Sequence, residues 1–169
     1  MTVATGVIYP LAVWGYAQIF FRDKAQGSIL LRGGVPAGSR LLGQNFNKPQ
    51  YFRPRPSAVG YNPMPSGGSN YSPAGKAFQA ALKERQAAFG GEAAPADLLF
   101  ASGSGLDPHI SPQAARLQCG RVAQARGVPE VDIISLVEGM TEPRQLGILG
   151  EPRVNVLLLN LALDGKYAK

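Results

Sequence analysis

The residues best suited to chemistry lie in one polar loop, Ala101–Pro112, which reads Ala-Ser-Gly-Ser-Gly-Leu-Asp-Pro-His-Ile-Ser-Pro. Its reactive side chains are Ser102, Ser104, Asp107 and His109, the only histidine of the chain. A histidine that takes a proton from a serine hydroxyl, with an aspartate to orient it, is the arrangement of serine hydrolases. Hydrolysis is therefore one hypothesis for this loop.

A structural or docking role explains the same loop. Asp107 and His109 are two residues apart, whereas the groups of a catalytic triad usually converge from distant segments. The loop ends at Ser111-Pro112, which has the form of a helix N-cap followed by a first-turn proline. A polar loop fixed onto the start of a helix is typical of a recognition surface, so docking onto a partner is the second hypothesis.

A second glycine-rich loop has the composition to hold a phosphate. It consists of Ser66, Gly67, Gly68, Ser69 and Asn70, and a helix start follows it at Ser72-Pro73. Backbone N–H groups in such a loop, together with a helix dipole, can bind phosphate oxygens. The lysine of the P-loop pattern does not follow, so a plain turn that leads into the helix is the alternative. Both interpretations stay open on this evidence.

Composition argues against several kinds of function. The chain has 169 residues and a net charge of +6, from 17 basic and 11 acidic residues, and the basic residues are spread along it. A nucleic-acid surface needs a clustered basic patch, so we expect no nucleic-acid partner. Cys119 is the only cysteine, which excludes an intrachain disulfide and a Cys/His metal cluster, and we expect no metal site.

Helices that open with a proline are predicted to position these loops. The predicted helices are Pro73–Phe89, which would stop at Gly90-Gly91, Pro112–Arg126, which would stop at Gly127, and a third that begins at Pro129. Short strands are predicted over Ser39–Phe46 and Pro95–Phe100. With 21 glycines and 14 prolines, much of the remaining chain must be loop, and the aromatic-rich segment 48–73 is predicted to be ordered.

The last apolar stretch, Val154–Asp164, fits a helix with an apolar stripe, although its first residues also fit a strand. Asn155 and Asn160 are its only polar side chains before Asp164. A buried amide must be hydrogen-bonded, so either asparagine is expected to pin a neighbouring loop. The predicted fold class is α+β, with about four helices, a small sheet and long ordered Gly/Pro-rich loops.

The N-terminal residues 1–21 carry no charged side chain. A helix of that length would span about 30 Å, the thickness of the hydrocarbon core of a bilayer. Trp14, Phe20 and Phe21 lie toward its far end, like an interfacial aromatic belt. We therefore predict a transmembrane anchor over 1–21 and one compact soluble domain over 22–169. A buried core helix and a signal peptide are the alternatives.

Several longer motifs, in a fixed order from about Val7 to Asp164, resemble one family, the C subunit of the Kdp-type potassium-transporting P-type ATPase. The motifs are Ile8-Tyr9-Pro10, Gln26-Gly27-Ser28, Leu42–Phe46, Tyr51–Ala58, Tyr61-Asn62-Pro63, Ser66–Asn70, Ala101–Pro112, Gly150–Val156 and Asn160–Asp164. Against the family pattern the anchor starts late, so its first turns are expected to be missing.

The resemblance implies a non-catalytic, single-pass subunit of the bacterial inner membrane, with its soluble domain facing the periplasm. Its partners would be a channel-like potassium-binding subunit, an ATP-hydrolysing P-type subunit, a small membrane peptide and the surrounding lipid. The family is described as a catalytic chaperone that assembles the pump and raises the affinity of the ATP-hydrolysing subunit for ATP.

The resemblance also implies where ATP, the only cofactor expected, would be contacted. The segment Ser66–Asn70 is similar to a nucleotide-transporter signature, and Gln118 matches a glutamine implied as an ATP contact. An extracytoplasmic domain does not meet ATP, whereas a subunit that clamps the channel-like subunit and shapes ion entry suits that topology. Both roles are kept as expectations. The docking loop would comprise Ser102, Ser104, Asp107, His109 and Asn155.

Overall fold

The computed structural model of the chain describes residues 1–89 and 93–167 and has the predicted mixed α+β class. Its helices are α1 Tyr9–Phe20, α2 Arg22–Ala25, α3 Lys76–Ala87, α4 Ala96–Leu99, α5 Pro112–Arg126, α6 Glu130–Gly139 and α7 Val156–Lys166. Its strands are β1 Ile29–Arg32, β2 Val35–Ser39, β3 His109–Ile110 and β4 Val154–Asn155. Two compact units are present, Met1–Leu41 and Leu42–Lys169.

The first unit begins with a helical stretch whose winding changes near Pro10. Ala4–Ile8 is a π-helical turn, in which the Tyr9 N–H donates to the Ala4 carbonyl, and α1 follows it. Proline cannot donate to the carbonyl four residues back, and the turn before it has the wider π form. Within the described residues, no helix is both long enough and apolar enough to cross a membrane. The predicted single transmembrane helix over 1–21 is therefore not confirmed.

The strand predicted over Ser39–Phe46 is wrong in position. The chain reverses before Ser39, in a turn at Gly33 and Gly34 with φ of +58° and +82°. This turn pairs β1 with β2 in an antiparallel hairpin. Both values lie in the left-handed region that glycine adopts at little cost. The strand therefore ends at the residue where the predicted strand would begin.

The strand predicted over Pro95–Phe100 is also wrong, because these residues contain the one-turn helix α4. Leu98 and Leu99 are buried in it, and Asp97 lies in its first turn. A short apolar run does not distinguish a buried strand from a buried helix. The pattern thus predicted burial correctly and the type of element incorrectly.

The helices α5 and α6 begin close to the residues that the sequence predicted, whereas α3 does not. The Oγ of Ser111 accepts a hydrogen bond from the Ala114 N–H at 3.1 Å, and Gly127 ends α5 with a φ of +66°. The helix α6 starts one residue after its predicted proline. The helix α3 is shorter at both ends than the predicted Pro73–Phe89, and the predicted stop at Gly90-Gly91 lies outside the described residues.

The core of the second unit is built on α5, α6 and α7. Its fully buried apolar side chains include Cys119, Val122, Ile133, Val137, Leu159 and Leu163. Phe52, from the long loop before α3, is also fully buried in this core. Burial of a side chain of that size contributes about 1.5–3 kcal/mol. The proline- and aromatic-rich segment is thus part of the folded unit, as predicted, and not a linker.

Candidate functional site

The two predicted glycine-rich loops lie against each other. The Gly67 N–H donates to the Ser104 carbonyl oxygen at 3.0 Å. A Cβ on Gly68 would lie 3.1 Å from the Gly103 carbonyl oxygen. A Cβ on Gly105 would lie only 2.8 Å from the Gly67 carbonyl oxygen. Glycine is therefore needed here because backbone meets backbone, a contact that the sequence did not predict.

Two further segments anchor the longer of these loops. The Ser102 N–H donates to the Pro56 carbonyl at 3.0 Å, and the Gly43 N–H donates to the Leu106 carbonyl at 2.7 Å. Gly43 is buried, and a Cβ there would lie 2.7 Å from the Asp107 carbonyl oxygen. The loop is thus the point at which several irregular segments of the second unit converge.

Asp107 connects this loop to a basic side chain and to its own backbone. Its Oδ2 accepts a hydrogen bond from Arg55 Nη1 at 3.0 Å, and its Oδ1 accepts one from the His109 backbone N–H at 3.0 Å. The His109 ring Nδ1 lies 3.5 Å from the same Oδ1. Burial alone would raise the pKa of Asp107, but the contacts with His109 and Arg55 lower it to about 2. Asp107 is therefore an ionised brace at neutral pH.

The structure gives no support to the hydrolase hypothesis. The Oγ of Ser102 is buried without a hydrogen-bond partner among the described residues, and the Oγ of Ser104 accepts from the Leu106 N–H at 3.1 Å. In the part of the chain that the structure describes, no hydrogen bond joins either serine to His109. The His109 ring faces Asp107 instead, so the loop lacks an assembled nucleophile and base.

Asn155 closes the site from the far end of the chain. It pairs with His109 in the sheet formed by β3 and β4, and its Oδ1 caps α7 by accepting from the Leu158 N–H at 3.1 Å. The two alternatives for this stretch are thus both present, a short strand and then a helix. Among the predicted docking residues, Ser102 and Asn155 are buried, while the side chains of Asp107 and His109 are each 29% exposed.

Two buried amide side chains hold the long loop before α3 by its backbone. Gln118 Oε1 accepts from the Arg53 N–H at 2.8 Å, and its Nε2 donates to the Arg53 carbonyl at 3.1 Å. Asn160 makes the same pair of bonds to Phe52, at 2.9 and 3.0 Å. Each side-chain amide thus bonds the backbone N–H and carbonyl groups of a loop residue that has no neighbouring strand to pair with. The prediction that Asn160 pins a loop is confirmed, whereas the role of Gln118 was missed.

The surroundings of Gln118 bear on its implied contact with ATP. Its side chain is buried, and its two polar atoms have further partners in Arg121 Nη2 at 2.8 Å and the Ala114 carbonyl at 3.3 Å. Both polar atoms are therefore occupied within the protein. The sequence signal for this role was a polar residue among the small and apolar residues Ala114, Ala115, Cys119 and Val122 of the same helix.

The loop Ser66–Asn70 lies at the surface of its unit. Ser66 and Asn70 are exposed, the residues between them are half-buried, and Asn70 has a φ of +51°. The next helix begins only at Lys76, so no helix N-terminus directly adjoins the loop. Phosphate binding by this loop stays a prediction, with backbone N–H and hydroxyl groups as its donors.

A buried ion pair near the C-terminus was also missed. Arg126 Nη2 lies 2.7 Å from Asp164 Oδ1, and its Nε donates to the Gln50 carbonyl at 2.9 Å. Tyr51 donates its hydroxyl to the other Asp164 oxygen at 2.9 Å and places its ring 5.2 Å from the guanidinium. Helix α5, helix α7 and the long loop are joined at this point.

Candidate metal ligands are also dispersed. Within the described ranges, no group of three or more His, Cys, Asp or Glu side chains is placed to hold a metal ion. Cys119 is buried in the core, and burial together with the nearby Glu130 charge raises its pKa to about 11. Its thiol is therefore protonated at neutral pH and serves as a small apolar side chain.

Fold and site together define a small α+β protein in which polar side chains brace ordered loops. Over residues 1–165 the chain matches the family described as KdpC, K⁺-transporting ATPase, c chain. Similar proteins named potassium-transporting ATPase KdpC subunit come from Polaromonas naphthalenivorans, 54% identical over 97% of this chain and 88% of the relative, and from Rhodospirillum rubrum, 50% identical over 99% and 91%.

The chain therefore belongs to the KdpC family. The resemblance seen in the sequence motifs is confirmed, and membership makes the chain a non-catalytic, potassium-transport subunit of the Kdp P-type ATPase.

Proposed function

We propose that this chain is an accessory subunit of the high-affinity, ATP-driven potassium-uptake complex, which it assembles and stabilises. The observation that carries the proposal is the family match over residues 1–165. Its partners would be the channel-like potassium-binding subunit, the ATP-hydrolysing P-type subunit and the small membrane peptide of the same complex.

The first segment would anchor the chain in the bacterial inner membrane, with the second unit in the periplasm. Support for membrane contact comes from the exposed apolar side chains of residues 1–21, which include α1. Residues 1–21 have no charged side chain, and Trp14 and Ile19 are 62% and 76% exposed. Contiguous exposed apolar surface of this kind marks a membrane or protein contact, because its burial removes it from water.

The second unit would act by presenting preformed loops to its partners. The Asp107–Arg55 ion pair and the amides of Gln118 and Asn160 hold these loops before any partner arrives. Loops that are already ordered lose less conformational entropy on binding. This geometry favours docking over chemistry, in keeping with a subunit that clamps the channel-like subunit near the ion entrance.

The subunit would also act as a catalytic chaperone that raises the affinity of the ATP-hydrolysing subunit for ATP. Because the amide of Gln118 is occupied by Arg53 and Arg121, direct contact through Gln118 is the less favoured route. The surface loop Ser66–Asn70, which is exposed at both ends, is the better candidate for a direct phosphate contact. Otherwise the effect on ATP would pass through assembly of the complex.

The first experiment tests assembly. The full chain and a version without residues 1–21 are co-expressed with the other Kdp subunits, and each is purified from detergent-solubilised membranes through a tag on this chain. We expect the pump subunits and potassium-stimulated ATP hydrolysis to co-purify with the full chain, and retention in the membrane fraction to depend on 1–21. A full chain that purifies alone, with pump activity the same in its absence, would contradict the proposal.

A second experiment tests the chaperone role. The KM for ATP is measured for the pump with and without this subunit, and with Ser66→Ala combined with Ser69→Ala. Removal of the subunit should raise the KM, and the double variant should raise it in part if the loop contacts phosphate. Ser72→Ala, exposed outside the loop, is the control. An unchanged KM without the subunit would reject the chaperone role.

A further inference from the structure

A cleft of about 370 Å³ lies in the second unit, and neither glycine-rich loop lines it. The segment 45–47, the segment around Arg53 and the C-terminal end of α3 form its walls. Its volume is within the range of small ligand pockets. No residue of Ser66–Asn70 or Ala101–Pro112 lines it, so the expectations drawn from those loops do not cover it.

The cleft is basic. Arg53 and Arg85 both line it, and none of the described residues that line it is an Asp or Glu. The Arg53 side chain is exposed and makes no hydrogen bond or ion pair with the described residues, although its backbone is fixed on both sides by Gln118. Arg85 Nη1 donates to the Leu99 carbonyl at 2.7 Å, which holds the half-buried side chain in place. Two arginines therefore line one cleft, Arg85 held by the Leu99 carbonyl and Arg53 free to turn toward an occupant, and the described lining contains no carboxylate.

Neighbouring charges increase the local positive potential. Burial and the nearby Arg53 charge both lower the pKa of Arg121. The Arg85 charge likewise acts on the hydroxyl of Tyr61, opposing the rise in its pKa that burial causes. Because two arginines and no described carboxylate line the cleft, charge complementarity favours an anionic occupant.

The remaining walls are aromatic and amide-bearing. The rings of Phe46, Tyr61 and Phe89 line the cleft, and the exposed Asn45 and Asn47 stand at it. Aromatic rings pack against apolar side chains, and amide groups can bond to a peptide backbone. The guanidinium group of arginine can bind a carboxylate through two parallel N–H···O hydrogen bonds. A peptide with an acidic residue beside an apolar one matches all three kinds of wall, whereas a small inorganic anion would leave the rings unused.

We propose that this cleft receives a carboxylate side chain from an acidic segment of another subunit of the complex, held between Arg53 and Arg85. An apolar neighbour of that carboxylate packs against the rings of Phe46, Tyr61 and Phe89. The inference rests on the proposed function, because it presumes that partner subunits are present. It adds a docking surface that the loop around His109 does not line.

The test compares charge reversals in the co-expressed complex. Arg53→Glu and Arg85→Glu should each weaken co-purification of the partner subunits by about tenfold or more, the size expected when a buried charge pair loses one member. Lys83→Glu is the matched control, because Lys83 is exposed on the same helix as Arg85 and does not line the cleft. It should leave co-purification unchanged.

Folding is checked separately, since Arg85 also holds the Leu99 carbonyl. Thermal melting of each purified variant should show Arg53→Glu close to the wild type, so that its loss of binding is not a loss of fold. Arg85→Lys keeps the charge and should retain more binding than Arg85→Glu. Normal co-purification of a folded Arg53→Glu variant would overturn the inference, while failure of the wild-type chain to co-purify would instead reject the proposed function.

A photo-crosslinking amino acid at Asn47 identifies the occupant. The crosslinked partner peptide should contain an Asp or Glu, and the same probe at Lys83 should not capture it. Capture of a segment without acidic residues would overturn the inference. So would saturable binding of ATP that is lost in Arg53→Glu while co-purification is unchanged, because the cleft would then hold a nucleotide rather than a peptide.

Discussion

The buried side-chain amides of Gln118 and Asn160 form hydrogen bonds with the backbone of the long loop before α3. Each amide bonds both the N–H and the carbonyl of one loop residue, Arg53 or Phe52. The long loop therefore has its hydrogen bonds satisfied without a partner strand. Gln118, which the family resemblance implies as an ATP contact, therefore has a structural role in this protein: it holds the long loop in place.

Gln118→Met should destabilise the folded chain by about 1–3 kcal/mol, because a side chain of similar size leaves the Arg53 backbone groups without their partner. Urea denaturation followed by circular dichroism measures this change. Gln113→Met, exposed on the same helix, should shift stability by less than about 0.5 kcal/mol. Equal stability of Gln118→Met and the wild type would show that the amide is dispensable to the fold.

Asp107 gives the protein a defined response to acid. Its folded pKa of about 2 is below its ordinary value, so its contribution to stability is complete above about pH 4 and is lost as the pH falls toward 2. The contribution is about 2 kcal/mol for a shift of this size. Asp107→Asn should therefore be less stable at pH 7 by about that amount and should flatten the stability curve between about pH 4 and 2.

Denaturant midpoints measured across this pH range test the response. Glu84→Gln is the matched control, because it removes an exposed carboxylate from α3 and should preserve the acid dependence of the wild type. If Asp107→Asn and the wild type lose stability in parallel below pH 4, the acid response arises elsewhere.

At the scale of elements, the helices α5 and α6 followed from local signals, whereas α4 and the contacts between loops did not. Ser111, Pro112 and Gly127 specify the start and the end of α5 by capping and by backbone conformation, which are properties of neighbouring residues. The contact between the two glycine-rich loops joins residues almost forty positions apart, and no local pattern encodes it. The short apolar run in α4 forms a helix and not a strand, and this choice likewise depends on the residues packed around it and not on its own spacing.

The loop contact predicts a sharp difference between two neighbouring glycines. Gly105→Ala should destabilise the fold by about 2–4 kcal/mol, since φ is +70° and the added Cβ would lie 2.6 Å from Val59 Cγ2. Gly103→Ala should change stability by less than about 1 kcal/mol, because nothing lies within 4 Å of its Cβ position. Thermal melting of the two variants makes the comparison, and similar losses would show that the loops do not meet in this way.

At the scale of the second unit, Arg126 joins parts of the chain that are far apart in sequence. Arg126→Met should destabilise the protein by about 3–5 kcal/mol, because Asp164 would be left as a buried carboxylate without its charge partner. Arg116 lies on the same helix as Arg126 and forms an exposed ion pair with Glu138. Arg116→Met should therefore destabilise the protein by less than about 1 kcal/mol. Chemical denaturation measures both, and equal losses would show that burial of the pair has no energetic consequence.

The sequence by itself determined the α+β class, the helices α5 and α6, the burial of Leu98 and Leu99, and membership of the KdpC family through motifs in a fixed order. These follow from local conformational preference and from residue identity, which a linear chain displays directly. Only the tertiary structure decided that Gln118 and Asn160 grip the long loop, that Asp107 faces Arg55, and that two guanidinium groups share one cleft. Those contacts depend on where distant backbone segments meet, and a side chain's partner is set by that meeting and not by its neighbours in the chain.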